Sequence, residues 1–290
     1  MFLLPTFSCT DLCKNLAEKL DLQIADVERK RFPDGEMYLR IRDDLKGKDV
    51  MIVGNSRTDE EVIESILLHE AAMGMAPRNL ASLIPYFGYA RQHMRYHPGE
   101  PISMQGIGQS YLRYSGRAFV VDVHDESALP AFGGKLSNIH ICTSFIDYYK
   151  NSNIRYVVSP DDGALWRARE VASGLGCDVF NFEKKRIDAW TVRMEPIDND
   201  LKGGNVVLLD DIISTGGTII SAIELLKSMN AGKIFVSAVH GLFINGAAEK
   251  ISNASGEIAV TNTIGSKYSR IDISNEVSKH IKEALKWERN

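Results

Sequence analysis

An unbroken apolar run, Val206-Val207-Leu208-Leu209, ends in two adjacent carboxylates, Asp210 and Asp211, and passes through Ile212-Ile213 into the small, glycine-rich stretch Ser214-Thr215-Gly216-Gly217-Thr218. An amphipathic segment carrying Ile219, Ile220, Ile223, Leu225 and Leu226 follows. That order reads as buried strand, acidic corner, anion-cradling turn and helix, so a parallel strand must feed a helix here. Paired carboxylates accept hydrogen bonds from vicinal sugar hydroxyls, and amides at a helix start wrap a phosphate. The ligand implied is a phosphorylated sugar.

The spacing resembles the phosphoribosyl pyrophosphate binding motif of the type I phosphoribosyltransferase fold, which joins an acid pair to a Thr-Gly-Gly-Thr run. A generic strand-to-helix connection uses the same residue types, because Asp, Ser and Gly are ordinary turn formers. An apolar run followed by Asp-Asp also looks like the acidic strand of a nucleotide hydrolase. No Gly-x-x-x-x-Gly-Lys-Ser/Thr loop occurs in the chain, so the hydrolase reading fails.

At 290 residues with 44% hydrophobic content, the chain is long enough for one large or two ordinary domains with ample core. A net charge of -4 with interspersed signs argues against a protein that coats nucleic acid. Cys9, Cys13, Cys142 and Cys177 form neither a Cys-x-x-Cys pair nor a Cys/His cluster, which points to reduced core thiols rather than disulfides or structural zinc. Met1 to Ser8 lacks a basic start and a long apolar stretch, and no run approaches about 18 apolar residues. A soluble, cytoplasmic protein with no membrane and no nucleic-acid partner is expected.

Periodicity predicts strands at Phe2 to Pro5, Val50 to Gly54, Leu80 to Pro85, Phe119 to Val123 and His140 to Thr143 in the first half. Helices are predicted from Ser8 or Thr10 through Leu12, Leu16 and Leu20, and from Glu60 to Gly74. The second half repeats the style, with strands at Tyr156 to Ser159, Val179 to Phe182, Val206 to Leu209 and Phe235 to Val239, a helix from Gly163 to Gly174, and a polar terminal helix from Ser274 to Trp287. Such alternation implies an α/β architecture with mainly parallel sheets flanked by helices. Two similar domains, 1–142 and 143–290, are expected.

Other constellations carry chemistry. Phe32-Pro33-Asp34-Gly35-Glu36 precedes the alternating strand Met37 to Ile41; Pro-Asp-Gly is a turn by local chemistry, but an aromatic ring beside two acids also suits a purine and its exocyclic amine. The stretch from Pro85 to Ser103 lacks regular periodicity yet holds Arg91, Arg95 and two histidines, as a loop closing over a polyphosphate would. His124 stands at a strand end, where open α/β sheets bind ligands. Asp161-Asp162 is a second strand-end acid pair, suited either to magnesium or to capping a helix. Glu183-Lys184-Lys185-Arg186 follows a strand directly, as a solvated face or as a set of donors aimed at a ligand.

Taken in order, these features resemble ribose-phosphate pyrophosphokinases, and the short length and the Ser-Thr-Gly-Gly-Thr form look like archaeal members. The resemblance implies two type I phosphoribosyltransferase-like domains, the first serving ATP and the second ribose 5-phosphate. It also implies transfer of the β,γ-pyrophosphoryl group of MgATP to the C1 hydroxyl of ribose 5-phosphate, with release of AMP. On this footing Phe32, Asp34 and Glu36 hold adenine from a neighbouring subunit, which makes the protein a homo-oligomer, at least a dimer. Arg91, Gln92 and His124 contact ATP, and His124 and Asp161 serve Mg2+. Asp210 and Asp211 take the ribose hydroxyls, Ser214, Thr215, Gly216, Gly217 and Thr218 take the 5-phosphate, and Lys184 and Arg186 are the catalytic pair.

Two positions depart from many relatives, Ser214 and His93, each standing where Asp is usual. A loose phosphoryl transition state makes modest demands on a base, so neither departure removes the activity. A phosphoribosyltransferase would leave the first half unemployed, and a nucleotide-binding regulator would not need Lys184, Arg186 and His124 together. Gly106-Ile107-Gly108-Gln109-Ser110-Tyr111 lacks the third glycine of a dinucleotide fingerprint, and His69-Glu70-Ala71-Ala72-Met73 lacks the second histidine of a metallopeptidase helix.

Overall fold

The apolar runs become central strands of two parallel sheets, each covered on its faces by helices, in a computed structural model that describes residues 1–186, 192–195, 200–255 and 257–285. The chain divides into one unit of Met1–His140 with Thr263–Gly265 and the segment from Ser274, and a second of Ile141–Asn262 with Ser266–Ile273. In the first, the strands are β1 (Phe2–Pro5), β2 (Gln23–Ile24), the hairpin β3 (Val27–Arg31) and β4 (Met37–Ile41), then β5 (Asp49–Val53), β6 (Asn79–Ile84), β7 (Arg117–Val121) and β8 (Leu136–Ile139). Its helices are α1 (Thr10–Leu20), α2 (Asp59–Gly74) and α3 (Ser103–Leu112).

The second unit runs α4 (Cys142–Tyr149), β9 (Ile154–Ser159), α5 (Leu165–Leu175) and β10 (Asp178–Asn181), then the hairpin β11 (Glu183–Arg186) and β12 (Val192–Glu195). It continues with β13 (Asn205–Ile213), α6 (Gly217–Ser228), β14 (Ile234–Gly241), α7 (Ala247–Ser255), β15 (Glu257–Thr261) and β16 (Ser269–Ile271). The final helix α8 (Ser274–Leu285) returns to the first unit and packs on α1; the expected helix end at Trp287 lies outside the described residues.

The two sheets share one plan. Their orders are β2-β1-β5-β6-β7-β8 and β10-β9-β13-β14-β15-β16, and in both an antiparallel hairpin leaves the sheet between the edge strand and the third strand. Thus β5 and β13 are equivalent, as are the helices α2 and α6 that follow them. Leu4, Val50 and Ile52 meet Leu68 and Ala72 of α2, while Val158, Val206 and Leu208 meet Ile219, Ala222 and Ile223 of α6. Each such side chain contributes about 1.5–3 kcal/mol on burial.

Several expectations are corrected. Neither Ser8 nor Thr10 caps α1; Cys9 is the N-cap without a side-chain bond, because the Glu64 carboxylate holds the Phe7 N–H at 3.1 Å and fixes the chain's entry from outside the helix. The strand expected to reach Val123 stops at Val121, where Asp122 takes a positive φ of 41°. His140 to Thr143 is no strand: β8 pairs Leu136 with Ala118 and Ile139 with Val121, and the apolar residues after it open α4. Helix α3 escaped periodicity because Gly106 and Gly108 interrupt its pattern; a Cβ on Gly108 would come within 2.5 Å of the Phe132 ring.

One buried group gives the first unit an acid limit. His69 Nδ1 lies 2.6 Å from the Ser65 carbonyl, its Nε2 lies 2.6 Å from Ser82 Oγ, and its ring stacks on Tyr111 with centroids 5.5 Å apart. Burial pushes its pKa from 6.5 down to about 4. The unfolded chain therefore takes the proton first, and stability present above pH 6.5 is lost as pH falls toward 4, by about 3 kcal/mol in all. Denaturant unfolding of the protein and of His69→Gln should show their stability difference changing by that amount across this window. A constant difference would assign the acid limit elsewhere.

Candidate functional site

In the second unit β13 runs further than its apolar stretch, so both acids belong to the strand. Asp210 pairs in register with Ala238 of β14. The Asp211 N–H donates to Asp210 Oδ1 at 2.9 Å, and the Ile212 N–H donates to Asp211 Oδ1 at 2.7 Å. Burial raises the Asp210 pKa well above the carboxylate range, and repulsion from Asp211 and then Asp161 raises it further. Asp161 follows β9, the strand beside β13, so adjacency in the sheet gathers the acids at one edge. Hydroxyl donors or a cation would relieve that crowding. Asp161 also shapes its own turn, its Oδ1 accepting from the Gly163 N–H at 3.0 Å and the Ala164 N–H at 3.3 Å, while Asp162 accepts from Asn181 Nδ2 at 2.6 Å.

After β13 the chain turns sharply into α6. The Ile213 carbonyl accepts from the Leu242 N–H at 2.9 Å and the Ser214 carbonyl from the Ile244 N–H at 2.9 Å, which anchors the loop to the end of β14. Gly216 is the N-cap with a φ of 80°, and a Cβ there would lie 3.1 Å from Ile251 Cδ1 and 3.2 Å from Ala247 Cβ. Both facts select glycine. No side chain caps α6, and Thr215, Gly217 and Thr218 are exposed, so its first-turn amides face outward. Such a terminus, with positive dipole end and unmatched donors, accepts an anion.

The equivalent junction in the first unit is closed by its own side chains. Thr58 Oγ1 accepts from the Glu61 N–H at 3.3 Å, and Glu61 Oε2 accepts from the Arg57 N–H at 2.7 Å, so a hydroxyl and a carboxylate of the chain itself take up amides that an anion would use. Asn55 Oδ1 accepts from the Tyr86 N–H at 2.8 Å and Ser56 Oγ from the Gly88 N–H at 3.0 Å. One fold plan, used twice, leaves one anion cradle open.

The first unit presents the other expected residues. Phe32, 50% exposed, tips the hairpin β3–β4, with its ring edge-on to Tyr38 at 5.9 Å. The Gly35 N–H donates to the Phe32 carbonyl at 2.9 Å, Gly35 has a φ of 95°, and Asp34 Oδ1 accepts from the Glu36 N–H at 3.1 Å. The turn chemistry therefore holds Asp34 and Glu36 beside the exposed ring. Along Pro85 to Ser103, Arg91 is exposed, and Gln92 is engaged at the loop's base, where the Ser103 hydroxyl donates to its Oε1. Glu100 Oε2 gathers the Tyr96 and His97 N–H groups at 2.8 and 3.0 Å, so the loop is folded rather than slack. His124 is exposed beyond the end of β7.

Lys184 and Arg186 occupy alternate positions of β11, in register with Met194 and Val192 of β12. This hairpin is the counterpart of the one that carries Phe32. Among the described residues no cluster of three or more His, Cys, Asp or Glu is arranged to hold a metal ion unaided. Sequence reasoning missed Asn138 and His140, whose side chains brace the residues around His124; two polar residues at alternate positions among Leu136, Ile139 and Ile141 were the available signal.

Comparison with known proteins identifies the family and the fold. Residues 1–112 match the family model for the N-terminal domain of ribose phosphate pyrophosphokinase, and residues 136–250 match that for the phosphoribosyl transferase domain. The chain is 45% identical over 274 residues to the ribose-phosphate pyrophosphokinase of Thermoplasma acidophilum, covering 94% of this chain and 96% of that one. It is 42% identical over 260 residues to that of Thermococcus kodakarensis, covering 89% and 92%. The crystal structure of phosphoribosylpyrophosphate synthetase from Mycobacterium smegmatis superposes with a TM-score of 0.85 at 24% identity, covering 98% of both chains, a likeness of fold. The chain belongs to the ribose-phosphate pyrophosphokinase family.

Proposed function

We infer that this protein is an ATP-dependent ribose-phosphate diphosphokinase. The C1 hydroxyl oxygen of ribose 5-phosphate forms a bond to the β-phosphorus of ATP, the bond from that phosphorus to the oxygen bridging it to the α-phosphate breaks, and AMP leaves with that oxygen. The hydroxyl proton is released, and the product is 5-phosphoribosyl 1-pyrophosphate. The observation that carries the reading is the uncapped N-terminus of α6 directly behind the acid pair of buried Asp210 and half-buried Asp211, set against its self-capped duplicate at α2.

Each residue then has a task. Ser214, Thr215, Gly216, Gly217 and Thr218 wrap the 5-phosphate with loop amides and hydroxyls, while Asp210 and Asp211 accept hydrogen bonds from the ribose hydroxyls. Phe32 stacks on adenine, and Asp34 and Glu36 accept from its amine, offered to a neighbouring subunit in a homo-oligomer of at least two copies. Arg91 and Gln92 meet the triphosphate. Lys184 and Arg186 stabilise charge on the transferring phosphoryl group.

Mg2+ fits this donor set. It is typically held by one or two carboxylates together with substrate phosphates and water rather than by an all-protein cage, and the crowded acids around Asp210 are such carboxylates. His124 in the first unit and Asp161 in the second are each proposed donors to such an ion, which would neutralise the triphosphate and orient its oxygens. The protein works in the cytoplasm on this reading; among the described residues no helix is long and apolar enough to cross a membrane.

Incubating the protein with Mg2+, ATP and ribose 5-phosphate should form AMP in a sugar-dependent manner, with equimolar 5-phosphoribosyl 1-pyrophosphate. AMP formation that ignores the sugar, or none at all from folded protein, overturns the assignment.

A further inference from the structure

We propose that Asn138 and His140 are positioning residues that hold the chain segment carrying His124, an inference that rests on reading His124 as a contact to MgATP. The segment needs holding. Strand β7 ends at Val121, the next residue, Asp122, sits at a φ of 41° that is disfavoured for a residue with a Cβ, and the 3-10 turn Glu126–Phe132 starts beyond His124.

Its support comes from the end of β8, the edge strand next to β7. The Asp122 N–H donates to the Ile139 carbonyl at 3.0 Å, which continues the pairing one residue past β7. Side chains add to it. Asn138 Oδ1 accepts from the Val123 N–H at 3.0 Å, and Asn138 Nδ2 donates to Glu126 Oε1 at 3.0 Å. His140 spans the same gap, with Nδ1 3.1 Å from Asp122 Oδ1 and Nε2 3.1 Å from Glu126 Oε1. His124 is therefore bracketed on both sides, at 122–123 and at 126, by two residues that are alternate along one strand end. The intervening Asp125 is tied as well, its Oδ2 lying 3.1 Å from His93 Nε2 of the loop that bears Arg91.

A side chain that orients a ligand-contacting residue from behind acts through geometry, and such supporting partners are worth about 10- to 100-fold in metal affinity or activity when removed. The exposed setting of His140, 44% for its side chain, separates this role from a core role: little packing is lost with the ring.

The test uses the full-length protein with His140→Ala, His140→Gln and Asn138→Ala. His140→Ala should lower kcat/KM for MgATP, and MgATP affinity measured by calorimetry without sugar, by about 10-fold or more, while KM for ribose 5-phosphate stays within about twofold. His140→Gln keeps an amide donor for one of the two carboxylates and should recover part of the loss. Equal loss for both substrates, or a His140→Ala value for MgATP within about twofold of wild type, overturns the proposal. If His140→Ala does not fold, Asn138→Ala must show the same MgATP-selective loss or the proposal falls. Failure of the functional reading looks different, since the wild type itself would then form no sugar-dependent AMP.

Discussion

Lys184→Ala should reduce kcat for sugar-dependent AMP formation by about 10²- to 10³-fold, roughly 3–4 kcal/mol, and leave the binding of ribose 5-phosphate unchanged. The reason lies in the timing of charge. In pyrophosphoryl transfer, negative charge spreads over the equatorial oxygens of the β-phosphorus as the bond to the leaving oxygen stretches, and a preorganised ammonium acts on that distribution more than on the ground state. A loss confined to the transition state lowers kcat and kcat/KM together. The hairpin β11–β12 carries both Lys184 and Arg186 and stands in the same place in its unit as the hairpin bearing Phe32 does in the other. Steady-state kinetics at saturating MgATP, with calorimetry for the sugar, read the result. Turnover within a few-fold of wild type would remove Lys184 from the chemistry.

How much of this was legible in the sequence depends on how local the cause is. Long apolar runs identified β1, β5, β13 and β14 to within a few residues, because a parallel strand buried on both faces has no other signature. The acid pair and its loop were legible for the same reason: carboxylates, small residues and glycine fall in the order that the chain geometry demands. What escaped depends on partners distant in sequence. The entry to α1 is set by Glu64, 57 residues from Phe7, and no local rule predicts it. The support of His124 by Asn138 and His140 becomes visible only when β8 is known to lie beside β7. Thr58-Asp59-Glu60-Glu61 spells a capping box in plain sequence, but its meaning, that this junction has no vacancy for an anion, appears only when α2 and α6 are seen to be equivalent.

That equivalence yields the second large effect. Thr218→Glu should raise KM for ribose 5-phosphate by at least about 100-fold while leaving thermal stability unchanged or slightly higher, because the same carboxylate acts with opposite signs on helix and ligand. Thr218 is exposed in the first turn of α6, whose N-terminus no side chain caps. A glutamate there faces the positive end of the helix dipole and contributes about 0.3–1 kcal/mol to stability. Toward a sugar phosphate it competes for the same amides and repels the incoming charge; two charge-assisted hydrogen bonds lost at about 1.5–3 kcal/mol each suffice for the expected change. Thr218 holds the second position of α6 as Glu60 does of α2, whose first turn already carries Asp59, Glu60 and Glu61, so the substitution gives the second unit's helix start some of the negative charge that the first unit's has. Binding of MgATP in the absence of sugar should be unaffected, which separates the effect from unfolding. A variant that melts normally and still saturates with ribose 5-phosphate near the wild-type concentration would move the 5-phosphate away from this helix.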